Sequence, residues 1–247
     1  MSFAHGSSTR VLANAVEVSS TIAGWQVSHQ RNMSEVTTIG QTAGAAGAKF
    51  TPGLRSGSLA LRGPQDDDET AGLHAEIAAA VGVDNSLIIT CLPDGNTVGR
   101  VAFYAVADLA EHAIDASVAD AVGFTASCQP DESVEAGYIL HALGAETADG
   151  NGTAVDRGAS PLTPTTQGMT AVIHMTAYSG FTSVAVKVQH STDNSTWADL
   201  VSFTSRTATG AEVVKVAAGT TVNRYLRAVT DVTGTGSATF LVAVAPR

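Results

Sequence analysis

Charged residues are scarce in this chain of 247 residues. Asp, Glu, Lys and Arg make up 15% of it, against roughly a quarter in an average soluble domain, and only three residues are lysines. The 13 basic and 23 acidic residues leave a formal net charge of -10. A protein that grips nucleic acid needs clustered Lys and Arg to contact phosphates, so this class is excluded. Since charge solvates little of the surface, we expect partners to cover much of it.

Long hydrophobic runs and cysteines are scarce as well. The longest apolar stretches, residues 86–92 and 101–109, fall well short of the roughly 20 residues that span a bilayer, so neither a transmembrane helix nor a membrane partner is predicted. The N-terminus lacks the charged and then apolar order of a secretory signal. The two cysteines, Cys91 and Cys128, lie in apolar sequence, which favours thiols in a reducing cytosol over a disulfide.

Catalytic and ligand-binding motifs are missing. The sequence has no GxSxG, glycine-rich phosphate loop ending in GK, HExxH or CxxC, and no two of its seven histidines have the spacing of a local metal site. The adjacent Glu111 and His112 are interpreted as a partly solvated pair. The acidic run 66–69 lacks the alternating ligands and central Gly of a calcium loop, which favours a solvated helix N-terminus. We therefore predict no enzyme, no cofactor and no metal.

The acidic charge is confined to the middle of the chain. Residues 1–62 carry five basic and two acidic residues, 63–160 carry two and 17, and 161–247 carry six and four. Residues 145–168 are rich in Gly, Thr, Asp and Pro without apolar periodicity, which is typical of a connector. We predict two domains, 1–160 and 161–247.

Apolar side chains alternate with polar ones in much of the sequence, which indicates β-strands. In the C-terminal third, Val184, Val186 and Val188 alternate in this way, as do residues 238–244, and five or six short strands would form an immunoglobulin-like sandwich. Strands are also predicted along the first 130 residues, at 10–19, 24–31, 35–39, 58–62, 86–92, 100–107 and 114–127.

One α-helix is predicted among these strands. Leu73, Ile77 and Val81 recur every four residues after the acidic run, and Gly82 follows as a stop signal. The predicted fold is therefore mainly β: a barrel or sandwich with one packed α-helix, followed by a smaller immunoglobulin-like β-sandwich.

A glycine-rich segment, 40–57, separates two predicted strands. It has five glycines and no usable period, and loops of this length inside compact domains are usually functional or disordered. Its large side chains are Lys49, Phe50, Leu54 and Arg55. We expect a neighbouring subunit to order the loop through these four residues.

Several stretches resemble the major tail proteins of long-tailed bacteriophages, especially those that infect actinobacteria. In order along the chain they are SSTIAGWQVSHQRNMSEVTTIG, KFTPGLRSGSLALRG, LPDGNTVGRVAFYAV, VQHSTDNSTWADLVSF and NRYLRAV. The resemblance covers nearly the whole chain. It implies a tail tube subunit with a barrel-like fold and one helix, stacked in rings, usually of six, around a channel through which DNA is ejected.

The resemblance also implies partners and a location. The partners are further copies of the chain and other tail proteins, such as the tape measure and tail terminator. The location is the tail of a virion, after synthesis in the host cytoplasm, and the glycine-rich loop would join one ring to the next. DNA would pass without specific binding, so we expect acidic side chains of the middle segment in the channel, with candidates at Asp108, Glu111, Asp115 and Asp120.

Two other functions share part of this profile. A capsid decoration or cement protein would also be rich in β-structure, poor in charge and without catalytic residues. A carbohydrate-binding module would fit the sandwich and could use Trp25 or Trp197 as a sugar platform, but single aromatic residues on half-buried strands are more often core.

Overall fold

A computed structural model describes residues 6–35, 50–65, 72–118, 121–158 and 164–247. The described residues form one α-helix, two short 3-10 turns and 14 strands, so the mainly β fold with one packed helix is confirmed. The helix α1 is Gly72–Ala80, and the strands are β1 Arg10–Ala13, β2 Val16–Glu17, β3 Gly24–Glu35, β4 Phe50–Pro64, β5 Leu87–Leu92, β6 Val101–Asp115, β7 Gly123–Pro130, β8 Glu135–Glu146, β9 Gly150–Asn151, β10 Val155–Asp156, β11 Met169–Ser191, β12 Ala198–Ser202, β13 Gly210–Val216 and β14 Tyr225–Pro246.

The N-terminal strands form an antiparallel sheet in the order β3-β4-β7-β6-β5-β1-β2, and α1 packs against it. The helix buries Leu73, Ile77 and Ala80 among apolar residues of β1, β4, β5 and β7. Val81 was predicted to continue this stripe, but the helix ends before it and its side chain is 64% exposed. Gly82, with φ of +73°, supplies the left-handed residue that follows many helices.

The sheet continues into the C-terminal part of the chain. β8 pairs with β6 on one edge and with β14 on the other, and β14 pairs with β11 over 20 residue pairs. A shared core fills the space between the two parts, where Leu12 and Tyr104 pack with Val172 and Leu241. Leu12 faces this shared core, and the adjacent residue Val11 faces the core around α1, so β1 is buried on both faces.

β8 is a strand that the alternation pattern missed. Its adjacent residues Ile139 and Leu140 are both fully buried, but in different cores on opposite faces of the sheet. A strand buried on both faces has no polar alternation to detect. The same reason explains the missed first half of β11, where residues 169–175 are all buried.

The C-terminal part differs from the predicted five or six short strands. It contains β11 and β14, of 23 and 22 residues, with the shorter β12 and β13 beside β11. The pairing of β11 with β14 shifts register at three places between 175 and 183, near Gly180 and Gly234, which both have positive φ. Residues on both sides of these bulges, such as Ile173 and Val186 of β11, belong to the same core.

The predicted connector 145–168 is partly bound to the sheet. Its first two residues end β8, and both β9 and β10 pair with β14. Thr165 forms an isolated bridge with Val222, and residues 159–163 lie outside the described residues. The division into domains at 160 stays a prediction.

Two of the predicted N-terminal strands are hairpins. Residues 10–19 turn at Asn14, whose φ is +47°, between β1 and β2. Residues 114–127 include the end of β6 and most of β7, which pair with each other, and residues 119 and 120 lie outside the described residues. No helix among the described residues has the length and apolarity to cross a membrane.

Candidate assembly surfaces

One face of the four strands β3-β4-β7-β6 is exposed and polar. Along β7 the even-numbered residues Phe124 and Ala126 are buried against the α1 core, while Thr125, Ser127 and Gln129 are exposed. This alternation places the hydroxyl and amide groups on the face that turns away from α1. We call it the polar face.

A bulge in β6 brings acidic residues onto the polar face. Asp108 lies opposite Gln129, and the register then shifts, so that Glu111 lies opposite Ser127. Without the extra residue, Glu111 would point toward the α1 core. Asp115, opposite Gly123, follows on the same face. The structure thus brings together three of the four predicted acidic residues, and the fourth, Asp120, lies outside the described residues.

The neighbouring strands extend the polar face with mostly uncharged groups. Ser28 of β3 and Ser58 of β4 are opposite each other, with their hydroxyl oxygens 2.8 Å apart. Arg62 lies opposite Thr125, and its guanidinium group covers Gly24. Across the four strands the polar face therefore carries three carboxylates from β6 and the guanidinium of Arg62.

Beyond the body of the sheet, β3 and β4 continue alone as a projecting hairpin. We call residues 29–35 and 50–57 the arm. β4 pairs with β7 only from Leu59 onward, so within the described residues the outer part of β4 has β3 as its sole partner strand. At about 3.3 Å per residue, the seven residues of β3 in the arm extend on the order of 20 Å.

The arm corrects the prediction for 40–57. Residues 50–57 are strand rather than loop, because they pair with β3. The glycine content hid this pairing. Lys49 and residues 40–48 lie outside the described residues.

The arm exposes large apolar side chains. Phe50 is 51% exposed, Leu54 83% and Met33 54%. Met33 lies opposite Pro52, and Glu35 lies opposite Phe50. A protein that exposes large apolar groups together in this way usually covers them with a partner.

Arg55, the other predicted contact residue of the arm, lies near a buried carboxylate within the same chain. Its guanidinium is 3.6 Å from Glu135, whose side chain is 9% exposed. Arg247 donates to the same carboxylate at 2.5 Å, and Glu132 nearby accepts a hydrogen bond of 2.7 Å from Lys215. These residues connect the base of the arm with β13 and the end of β14. Their separations of 80 and more residues gave no local sequence signal.

The remaining candidates from the sequence are the Glu111–His112 pair, the two cysteines and any cluster of metal ligands. Glu111 and His112 point to opposite faces of β6, so they do not form an acid-base pair. Burial, and then the nearby His74, lower the pKa of His112. Cys91 and Cys128 are buried free thiols in the same core, and burial raises the pKa of both. No cluster of three metal-ligating side chains occurs among the residues with described positions.

Both tryptophan rings have contacts within the chain. Trp25 packs in the α1 core beside Phe103, with ring centroids 6.3 Å apart. Trp197 is covered by the guanidinium of Arg227, whose central carbon is 4.2 Å from the ring centroid, and Gln189 holds that guanidinium. One face of the Trp197 ring is therefore covered by a residue of the same chain.

Comparisons with known proteins give distant structural similarities. No family model and no curated protein matches the chain. A chain from the virion of a native gene transfer agent particle is 10% identical, with a TM-score of 0.40 over 50% of this chain and 92% of that one. A chain from the tail of an empty gene transfer agent particle with C6 symmetry gives the same values.

A third similar structure covers more of the sequence. The Dit protein of SPP1, described as a paradigm of the hub adsorption apparatus in phages that infect Gram-positive bacteria, is 13% identical. Its TM-score is 0.34 over 96% of this chain and 98% of its own. Because the TM-scores and identities of all three are low, they carry no argument about function, and membership of the major tail proteins stays a prediction.

Proposed function

We propose that this protein is a structural subunit of a phage-type tail, whose copies form rings, of six by the resemblance, that stack into a tube. In this proposal the polar face lines the channel and the arm reaches the next ring. The partners would be further copies of the chain and other tail proteins, including a tape measure and a tail terminator. The protein would be located in the virion tail, after synthesis in the host cytoplasm.

The polar face is the observation that carries the proposal. A channel for DNA must not hold the phosphates, and a surface of hydroxyl, amide and carboxylate groups gives them few cations to bind. Over a Debye length of about 8 Å, the carboxylates of Asp108, Glu111 and Asp115 outnumber the single cation of Arg62 and repel the DNA backbone.

The edge of the sheet also supports assembly. β3 spans 12 residues, and within the described residues it pairs only with β4. An exposed edge of this length presents unpaired backbone groups that proteins normally cover, and closure of sheets into a ring covers them.

The placement of residues 161–247 on the exterior of the tube remains part of this proposal. One observation counts against it: Ala102 and Tyr104 of β6 face the shared core with the C-terminal strands, on the same face of β6 as Asp108. The alternative is that the C-terminal strands complete the wall, and a map of the assembled tube distinguishes the two.

Negative-stain microscopy of the purified protein tests the proposed assembly. We expect hollow rings or tubes that become more abundant with concentration. Particles that remain monomeric at high concentration, or that bind capsids instead of stacking, would contradict the tube function and favour a capsid decoration protein.

The channel lining is tested by a matched pair of charge reversals. Glu111→Lys places a cation on the polar face, whereas Asp231→Lys makes the same change at an exposed residue of β14. In assembled tubes, E111K should bind double-stranded DNA in a salt-dependent manner, while wild type and D231K should not. Equal DNA binding by both variants would place Glu111 outside the channel.

A further inference from the structure

The sheet β3-β4-β7-β6 ends in a different antiparallel pair of strands at each end. At one end Glu35 of β3 pairs with Phe50 of β4, which is the arm. At the other end Pro64 of β4 pairs with Gly123 of β7, where β7 also meets the end of β6 at Asp115. Because these strands are parallel or antiparallel to a common axis, the two hairpins point in opposite directions. We call residues 111–118 and 121–124 the β6–β7 tip.

The β6–β7 tip exposes apolar side chains as the arm does. Ile114 is 53% exposed, Val122 is 42% exposed and Val118 is fully exposed. Nine large hydrophobic residues are exposed among the described residues, and six of them lie in these two hairpins. The exposed apolar surface is therefore concentrated at the two ends of one sheet.

The two hairpins carry opposite charges. The arm has the guanidinium groups of Arg31 and Arg55 beside one carboxylate, Glu35. Arg55 also lies 3.6 Å from Glu135 of its own chain, and Arg31 donates to the carbonyl of Gly53. The β6–β7 tip has Glu111 and Asp115, and the described residues between 108 and 130 include no Lys or Arg. An apolar and cationic hairpin at one end is thus complementary to an apolar and acidic hairpin at the other.

We propose that the β6–β7 tip of one copy is the docking site for the arm of the next copy. The interface is head to tail: Leu54 and Phe50 contact Val118 and its neighbours, and Arg31 approaches the carboxylate of Asp115. An interface between different surfaces of identical subunits leaves each copy with a free surface for the next one, so it can repeat along an axis. This inference rests on the proposed stacking of rings and names the surface that receives the arm.

Cysteine cross-linking tests the contact directly. The double variant Leu54→Cys with Val118→Cys should form a ladder of covalent oligomers on treatment with copper phenanthroline. Each disulfide forms as two thiols lose two protons and pass two electrons to the oxidant. Either single variant should form no ladder. A matched double variant, Leu54→Cys with Ser195→Cys in an exposed loop, should also form none. The buried native thiols of Cys91 and Cys128 do not take part.

A charge swap tests the proposed ion pair. Arg31→Glu and Asp115→Arg should each raise the concentration needed for assembly by about tenfold or more, and the combined variant should recover most of that loss. The swap uses Arg31 instead of Arg55, because Arg55 also lies near Glu135 of its own chain. Losses that simply add in the combined variant would contradict the ion pair.

The outcomes separate this inference from the proposed function. Rings or tubes that form without a 54–118 cross-link, or with 54–54 links alone, would overturn the docking site and leave the tube function standing. Wild-type protein that forms no ring or tube at any concentration would overturn both.

Discussion

Two long antiparallel pairings in this protein, β3 with β4 and β11 with β14, have opposite surroundings. β11 and β14 pair over 20 positions and bury Met175, Phe240 and Val242 completely. β3 and β4 pair over 11 positions, but most of their outer residues are exposed, including Leu54. Both pairings are antiparallel and both contain register shifts.

The difference shows where the stabilising free energy of each pairing originates. Apolar burial contributes roughly 25 cal/mol per Å² of covered surface, and β11 and β14 obtain this cover from the chain itself. The arm exposes its apolar groups, so the chain itself supplies no such cover there, and in the proposed tube a neighbouring copy would supply it. Substitutions in the two pairings should therefore affect different measurements, stability in one case and assembly in the other.

The largest expected effect on stability lies in β14. Phe240 is fully buried and stacks on His141 with ring centroids 4.2 Å apart. Phe240→Ala should lower the free energy of unfolding by about 3–5 kcal/mol, because it removes packed atoms and leaves a cavity. Leu54→Ala in the arm should change it by less than about 0.5 kcal/mol. Urea denaturation of the dissociated subunit measures both, and equal effects would contradict the contrast.

A smaller effect should appear as the pH falls. His174 of β11 is completely buried, donating from Nδ1 to the carbonyl of Asn14 at 2.7 Å and accepting from the hydroxyl of Thr90 at 2.7 Å. Burial lowers the pKa of His174 to about 4, from 6.5. The unfolded chain therefore binds the extra proton first, and stability present above pH 6.5 is lost toward pH 4, by about 3 kcal/mol.

Unfolding measured at several pH values checks this expectation. His174→Gln should lose most of the pH dependence between 6.5 and 4, even where it is less stable overall. The control, His29→Gln at an exposed position of the arm, should keep the wild-type slope. An unchanged slope in H174Q would exclude His174 as its source.

The junction between arm and body should give a moderate effect. Glu135→Gln keeps the volume of the side chain but removes the charge that Arg247 contacts, which should cost about 1–3 kcal/mol. Glu132 and its partner Lys215 are half exposed, so Glu132→Gln should cost less than about 1 kcal/mol. Thermal unfolding at neutral pH compares the two, and a larger loss in E132Q would reverse the assignment.

The smallest effect on the isolated subunit should come from substitutions at residues 50 and 54 of the arm. Phe50→Ser combined with Leu54→Ser should leave its thermal melt nearly unchanged, because both side chains are already exposed. Tube growth should be abolished or strongly slowed. Normal growth of the double variant would exclude these residues as contacts between rings.

Local patterns in the sequence predicted the elements that have one solvated face. The stripe of Leu73 and Ile77 located α1, and Gly82 marked its end. The predicted strand 86–92 is β5 nearly to the residue, although β5 is buried on both faces, because a short continuous apolar run also indicates a strand. The acidity of the middle segment suggested Asp108, Glu111 and Asp115 as residues of the channel, and that role stays a prediction.

Only the tertiary structure decided which way those carboxylates point. The bulge in β6 keeps Asp108 and Glu111 on one face, and no residue pattern within the strand marked it. The structure also decided that β8 and the first half of β11 are strands, because burial on both faces removes alternation. The sequence by itself determined a β-rich, weakly charged chain. Local patterns do not encode the pairing between distant strands. That pairing decided which surfaces the chain buries and which it leaves exposed.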